Sequence, residues 1–424
     1  MTDVQRPTSA CGPLSILMLT DFLYEDAPGG SRRVVKEVAE GLAARGHRVT
    51  IVVPRWDGGD AERDERGGIA IYRYGHGDRG LRALPALVSD GRRVLAELRR
   101  EQGHPFDILH AHFAYSHLPA LFSRRLDLAW ATARSFYGPW ALEGLAERGP
   151  QRQADVKGAL GQWAEFKGRS LVETWSLARA DAVIALSDYS VQQLTRMYKV
   201  QRQAITLVPG GVDARRFTPP DASKEEVRRR LGLPVDGPLL LTVRRLAARM
   251  GLDNLIAAMP HVARSLPIAP RLVIVGQGEL RAHLEAQVAA LGLGDRVHFA
   301  GFVPDDLLPQ YYQAADLFVL PTRSLEGFGI ITLEAFASGL PVLGTPVGAT
   351  PELLARVDRR LILEGSEPDA IASGIVRYFT SVRGQVSSPR LRELALTRYT
   401  WDMVVERTRD AYEGALDEVR RLAR

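Results

Sequence analysis

The sequence predicts an α/β protein of two Rossmann-like, doubly wound domains facing each other across a cleft, and three observations predict it. Short apolar runs alternate with longer stretches of helical periodicity almost throughout, the pattern of βα units feeding parallel sheets. The alternation restarts after a Pro/Gly-rich segment near residue 210. The 424 residues are too many for one hydrophobic core and suit two large domains.

Strands are expected in the first half at 14–20, 49–53, 107–110, 129–135, 182–186 and 205–208. Helices are expected to begin near Ser31, which reads as an N-cap, and near Ser116, Gln153 and Tyr189. Residues 57–68, charged and glycine-rich, read as an exposed loop. The segment from Pro209 to Asp213, followed by Pro219-Pro220, marks the boundary. The second half repeats the pattern with strands at 239–243, 272–275, 297–300, 317–320, 342–344 and 361–363, and its clearest helices at 253–266 and 280–291. Domains are therefore drawn at 1–212 and 213–396, with a helix in 397–424.

Composition narrows the function classes. Hydrophobic residues make up 46% and charged residues 25% of the chain, as in soluble globular enzymes rather than disordered or membrane-embedded chains. With 55 Lys and Arg against 50 Asp and Glu the net charge is +5, and the signs are interleaved; no nucleic-acid partner is expected. The single cysteine, Cys11, forms neither an intrachain disulfide nor a Cys-based zinc site, which fits a cytoplasmic protein. The apolar run at 14–19 is too short to span a bilayer and reads as the first strand.

In open parallel sheets ligands bind beyond the carboxyl ends of the strands, so the loops there are the places to search. Gly29-Gly30, leading from the first strand into a helix, reads either as an anion-binding turn or as an ordinary tight turn. Gly276 and Gly278 begin a G-x-G-x-x-G pattern that fails at Arg281. That removes a nicotinamide enzyme and leaves close backbone approach to another ligand beside a simple turn.

The most informative stretch runs from Pro321 to Pro341, where a strand is followed by a glycine-bearing loop and an apolar helix near Gly329. Glu334 lies inside that helix among Ile, Leu, Phe and Ala, where an ionised carboxylate needs a polar ligand or partner. Glu326 precedes the helix, placed to accept hydrogen bonds from a sugar, while the backbone of Gly327, Phe328, Gly329 and Ile330 faces phosphate oxygens. The alternative is that both acids only complement the helix dipole. Arg244 and Arg245 end the strand at 239–243 and Arg249 follows in the loop, placed for bidentate grip on a phosphate or exposed as a solvated basic loop.

These residues resemble glycosyltransferase family 4, retaining enzymes of GT-B fold that use nucleotide sugars. The match runs along the chain through Gly29-Gly30, Gly46-His47, 209–213, 243–251, 275–278, 301–303 and 338–342, and Glu326 with Glu334 fits the family's E-x7-E signature. The resemblance implies that Glu326 touches the transferred sugar, Glu334 the ribose, Arg245 the diphosphate, Gly30 the diphosphate from the N-terminal domain, and the backbone at Phe302-Val303 the base. Two positions depart from the pattern. Met250 stands where the family usually has Lys, with Arg249 its expected substitute, and Tyr137 stands where a His is frequent. His112, Tyr137 and Trp140 are then expected to contact substrate.

The expected function is metal-independent transfer of a hexose-type sugar from a nucleoside-diphosphate sugar to an acceptor with retention, with Arg245, Arg249 and Glu326 as the catalytic set and no cofactor. The rival readings are a sugar-nucleotide epimerase or phosphorylase of the same fold, and a non-catalytic sugar-nucleotide-binding protein. His110-Ala-His112 has the spacing of a metal pair but lacks a third ligand nearby, and no Asp-x-Asp occurs; no metal is expected. Trp163, Phe166 and Trp175 form an aromatic stripe better read as helix packing than as an acceptor or bilayer surface, so membrane contact at the inner face is the less favoured reading. The helix from Trp401 is expected to cross back to the N-terminal domain, with Tyr412 in contact there.

Overall fold

The computed structural model describes residues 12–26, 29–56, 61–75, 84–147 and 156–423. They form two compact units, one from Met1–Ala141, Leu160–Pro209 and Trp401–Arg424, the other from Leu142–Ala159 and Gly210–Thr400.

The first unit is built on strands β1 (Ser15–Leu19), β2 (Arg48–Pro54), β3 (Arg63–Arg66), β4 (Ile69–Tyr74), β5 (Phe106–Ala111), β6 (Ala129–Phe136), β7 (Ala182–Ala185) and β8 (Ile205–Leu207). Their order is β3-β4-β2-β1-β5-β6-β7-β8, and all pair parallel except β3, which runs antiparallel to β4. β1 is buried along its whole length, as a central strand covered on both faces must be. The second unit carries β9 (Leu239–Val243), β10 (Arg271–Val275), β11 (Val297–Gly301), β12 (Leu317–Leu320) and β13 (Val342–Gly344) in the order β11-β10-β9-β12-β13, all parallel.

Three expectations are corrected. Within the described part of the supposed loop 57–68, residues 63–66 form strand β3, an exposed edge whose Arg-Asp-Glu-Arg sequence carries no apolar alternation; charge on an edge strand prevents further pairing. Residues 57–60 lie outside the described residues, as do Cys11, Pro28 and Gln153. The strand expected at 361–363 reduces to one bridge between Gly344 and Ile362, because a 3₁₀ turn at Arg359–Leu361 takes up the chain there. Helix Gly30–Ala44 starts one residue before Ser31, with extended Gly29 as N-cap and no side-chain cap, so Ser31 is helical.

The helix Trp401–Leu422 belongs to the first unit. Its residues Val404, Val405, Thr408, Ala411, Tyr412, Ala415 and Leu416 are buried at the 3.6-residue period, and they pack on helix Gly30–Ala44 and on β5, β6 and β7. Arg45, just past the first helix, bonds Asp402 at 2.8 Å and Glu406 at 2.9 Å. The two helices approach closely at Gly41, where an added Cβ would lie 2.4 Å from Cγ2 of Val405.

Gly41→Ala is therefore expected to lower stability by about 1–3 kcal/mol through overpacking, although Ala is the better helix former. Val405→Ala opens the same space, so the double variant should lose less than the two single losses added together. Denaturant unfolding of the four proteins measures the coupling, and additive losses would contradict the contact.

Candidate functional site

In the second unit the carboxyl ends of β9, β10 and β12 hold the residues singled out above. Arg244 is buried, and its Nη2 bonds Glu326 Oε2 at 2.6 Å while Nη1 donates to Thr322 Oγ1. Thr322 in turn donates to Glu326 Oε2 at 3.1 Å. Burial pulls the Arg244 guanidinium below its ordinary range and the Glu326 carboxylate opposes the shift. Glu326, expected beside a sugar, thus pairs with Arg244, which turns inward while its neighbour Arg245 does not.

Loop packing explains the glycines. An added Cβ at Gly276 would stand 1.8 Å from the Arg244 carbonyl oxygen, and one at Gly278 2.4 Å from that of Leu246. The Gly276 amide is spent on Gly301 O at 2.7 Å, so the need for glycine at both positions is met by the protein's own backbone. Gly329 adopts φ 85° as N-cap of helix Ile330–Ala337, and Phe328 is buried against Tyr399. Side chains of Phe328 and Ile330 face Gly210, where an added Cβ would meet them at 2.8 and 3.1 Å. They pack inward, leaving the backbone of 327–330 as the ligand candidate.

Glu334 is buried, and its Oε2 accepts from Tyr312 Oη at 2.7 Å. The polar partner its apolar helix demanded is thus at least partly a protein group, and Tyr312 carried no signal in the sequence. Val303 is buried and Phe302 exposed.

Arg245 is half exposed and bonds Glu147 Oε1. Arg249 is largely buried, donates from Nη1 to Leu325 O at 3.0 Å, and lies 3.9 Å from both Glu143 and Glu147. Met250 is buried. Glu143 is pushed up from the ordinary carboxylate range by burial, with Arg249 acting against the shift. These two acids on the short helix Trp140–Glu147 carry no signal in the sequence, because eight residues of mostly Ala, Leu and Glu show no distinctive spacing.

In the first unit the polar groups gather at the carboxyl ends of β5 and β6. His110 Nδ1 bonds Tyr412 Oη at 2.6 Å and Nε2 bonds Ser135 Oγ at 2.8 Å, while His112 Nδ1 bonds Tyr137 Oη at 2.8 Å. Burial, with help from the Arg134 charge, holds His110 down to about 3 and His112 well below its usual value, so both imidazoles are neutral. Both His110 nitrogens are engaged by hydroxyls, and among the described residues no group of three or more His, Cys, Asp or Glu is arranged to hold a metal.

Trp140 donates its amide to Glu173 Oε2 at 3.0 Å, with its ring against Tyr115 and Arg169. An added Cβ at Gly29 would meet Arg32 Nη1 at 3.4 Å, and Gly30 opens the helix. The aromatic stripe is corrected at Trp163, which is exposed, as are Leu160 and Leu171, whereas Phe166 and Trp175 are half-buried and Trp175 stands edge-on to Phe122; the helix Val156–Leu177 also buries Glu173, Ser176 and Leu177. Among the described residues no helix is long and apolar enough to cross a membrane.

Comparison with known proteins finds matches along both halves of the chain. Residues 28–216 match the family model Glycosyltransferase Family 4, and 223–382 match that of glycosyl transferases group 1. A D-inositol 3-phosphate glycosyltransferase of Xylanimonas cellulosilytica is 30% identical over 404 residues, 91% of this chain and 92% of the relative. A GDP-mannose-dependent alpha-(1-6)-phosphatidylinositol monomannoside mannosyltransferase of Mycobacterium tuberculosis is 27% identical over 414 residues, 95% and 99% of the two chains. Among solved structures, sucrose-phosphate synthase from Thermosynechococcus elongatus superposes with a TM-score of 0.78 at 24% identity, covering 94% of this chain and 98% of that one.

Asp21, at the carboxyl end of β1, gives a pH test of this region. Its Oδ1 accepts from Ser116 N at 2.9 Å, and burial raises its pKa from 3.8 to about 6. The folded protein then binds the Asp21 proton more tightly than the unfolded chain, so stability falls as pH rises through that window, by at most about 1.4 kcal/mol per pH unit. Asp21→Asn keeps the oxygen that accepts from Ser116 and should remove that part of the slope between pH 4 and 6, read from urea melts across pH. An unchanged slope would contradict the shift.

Proposed function

The chain belongs to glycosyltransferase family 4 and is a glycosyltransferase of GT-B fold, and on that premise we propose that it moves a hexose-type sugar from a nucleoside-diphosphate sugar to an acceptor hydroxyl with retention and without a metal. The observation that supports this reading best is the polar cluster at the carboxyl ends of β9 and β12, where Arg244, Thr322 and Glu326 lie one helical segment from buried Glu334.

Each group has a task in the proposal. Glu326, one oxygen held by Arg244 and Thr322, accepts from a sugar hydroxyl with the other. Glu334 accepts from the ribose, and the backbone at Phe302-Val303 takes the base. Arg245 and Arg249 receive the diphosphate, whose oxygens replace the Glu147 carboxylate now beside them. The amides of Gly327, Phe328, Gly329 and Ile330 add partial positive charge at the helix N-terminus. In the reaction the anomeric carbon–phosphate oxygen bond breaks and a bond to the acceptor oxygen forms on the same face, the acceptor's proton passing to the leaving phosphate. The charge that grows on the diphosphate is what the two arginines stabilise.

The donor and acceptor panels follow from the relatives. The Mycobacterium tuberculosis protein is named for GDP-mannose, and both relatives are named for acceptors bearing inositol and phosphate. These head the panels, with UDP-glucose as the comparison donor. Calorimetry should find a donor that binds, and product analysis should find transfer only when an acceptor is added. A sugar altered by the protein with donor alone would favour an epimerase, and tight binding without turnover on any acceptor would overturn catalysis.

Arg249→Ala is expected to lower kcat and kcat/KM together by about 10²–10³, as loss of a donor to a developing anion does; near-normal kcat would remove Arg249 from this role. Treatment with EDTA should leave the rate unchanged, and a loss restored only by Mg²⁺ or Mn²⁺ would overturn metal independence.

A further inference from the structure

The two arginines expected to meet a diphosphate already face carboxylates. Glu147 Oε1 pairs with Arg245 and stands 3.9 Å from Arg249 Nε. Glu143 Oε1 lies 3.9 Å from Arg249 Nη2. The two acids are four residues apart on helix Trp140–Glu147 and so share one of its faces. Like charges at that spacing repel each other and weaken a helix. The arginines opposite offset that repulsion, which ties the acid pair to the cations it faces.

The match is incomplete on the arginine side. Arg249 is largely buried and donates from Nη1 to Leu325 O at 3.0 Å, yet its Nε is buried without a hydrogen-bond partner among the described residues. At 3.9 Å the Glu147 oxygen neutralises Arg249 without accepting a hydrogen bond from it. One carboxylate oxygen therefore stands between two guanidiniums and fully satisfies only one of them. The outer pair also reaches solvent, with side-chain exposures of 55% for Arg245 and 38% for Glu147, and an ion pair so exposed opens readily. Arg244 does not enter this exchange, because Glu326 and Thr322 hold it inward.

We propose that Glu147, supported by Glu143, is a built-in competitor for the diphosphate. It holds the anion position between Arg245 and Arg249, leaves it when a nucleoside diphosphate or its sugar enters, and returns to speed the departure of the spent nucleoside diphosphate. This role rests on the diphosphate reaching Arg245 and Arg249, as proposed above.

The competition lowers affinity for donor and product by the same factor, since both must displace the same carboxylate. Uniform weakening of that kind raises KM but takes nothing from kcat once donor is saturating. Product departure, in contrast, is a step of every turnover and limits the rate of many enzymes. Chloride or a single phosphate meets the same occupied position with fewer contacts to offset the displacement.

The sign of one substitution separates this role from a structural one. Glu147→Gln keeps the size of the side chain and removes its charge. It should bind GDP, UDP and inorganic pyrophosphate about 3–10-fold more tightly than wild type, read by calorimetry at fixed ionic strength. A residue that only supported the fold would weaken all three when replaced. Glu147→Ala should shift affinity in the same direction, and Glu143→Gln in the same direction by less. In an Arg245→Ala background, where Glu147 has lost its nearer partner, the gain should shrink. Stopped-flow release of whichever of GDP and UDP binds should be slower from Glu147→Gln by a similar factor. Unchanged or weaker binding by Glu147→Gln, an undiminished gain beside Arg245→Ala, or an unchanged release rate would overturn the competitor while leaving the diphosphate where it was assigned. If neither wild type nor Glu147→Gln binds any of the three probes, the assignment of the diphosphate to these arginines fails, and the competitor with it.

Discussion

The carboxyl ends of β9 and β12 are held together by an ion pair taken out of water. Arg244 and Glu326 lie 82 positions apart in sequence and 2.6 Å apart in space, and desolvating the two charges is unfavourable by several kcal/mol per ion unless geometry and further hydrogen bonds compensate. Thr322 supplies one such bond, and the loop is fastened elsewhere by Arg323 to Asp253, Arg249 to Leu325 O and Thr345 to Thr322 O. Glycine at 251, 276 and 348 permits the close backbone contacts this fastening needs, since a Cβ there would fall within 1.8–2.1 Å of a carbonyl oxygen. The positions of Arg245, Arg249 and the backbone of 327–330 are consequences of that constraint.

The parallel-sheet strands were legible because their signal is local. β12 is a continuous apolar run and β9 is one broken only by Thr242, a pattern typical of strands buried on both faces. β3 was not legible, since an edge strand owes its conformation to a neighbour rather than to its own side chains, and four charged residues describe a loop equally well. Likewise 361–363 has the composition of a strand but only one bridging partner.

At the site, sequence reasoning found residues through the demand they make and missed those that meet it. Glu334 stood out as a carboxylate in an apolar helix, whereas Tyr312, its hydrogen-bond partner, looks like any core aromatic. The paired arginines stood out, yet which of them turns inward depends on Thr322 and Glu326 across the sheet. Tyr412 and His110 are 302 positions apart. A bond of that separation leaves no periodic trace in either segment.

The route of the chain orders its synthesis and assembly. Residues 210–400 are continuous within the second unit, so nearly all its contacts exist once that segment has left the ribosome. The first unit, though made earlier, must wait for Trp401–Leu422 to cover helix Gly30–Ala44, β6 and β7 and to deliver Tyr412 to His110. Until then a stripe of apolar surface that the helix later covers is open to water and to other nascent chains. The half of the molecule translated first is thus the half completed last, and its exposure to chaperones and proteases is set by the time needed to translate the other.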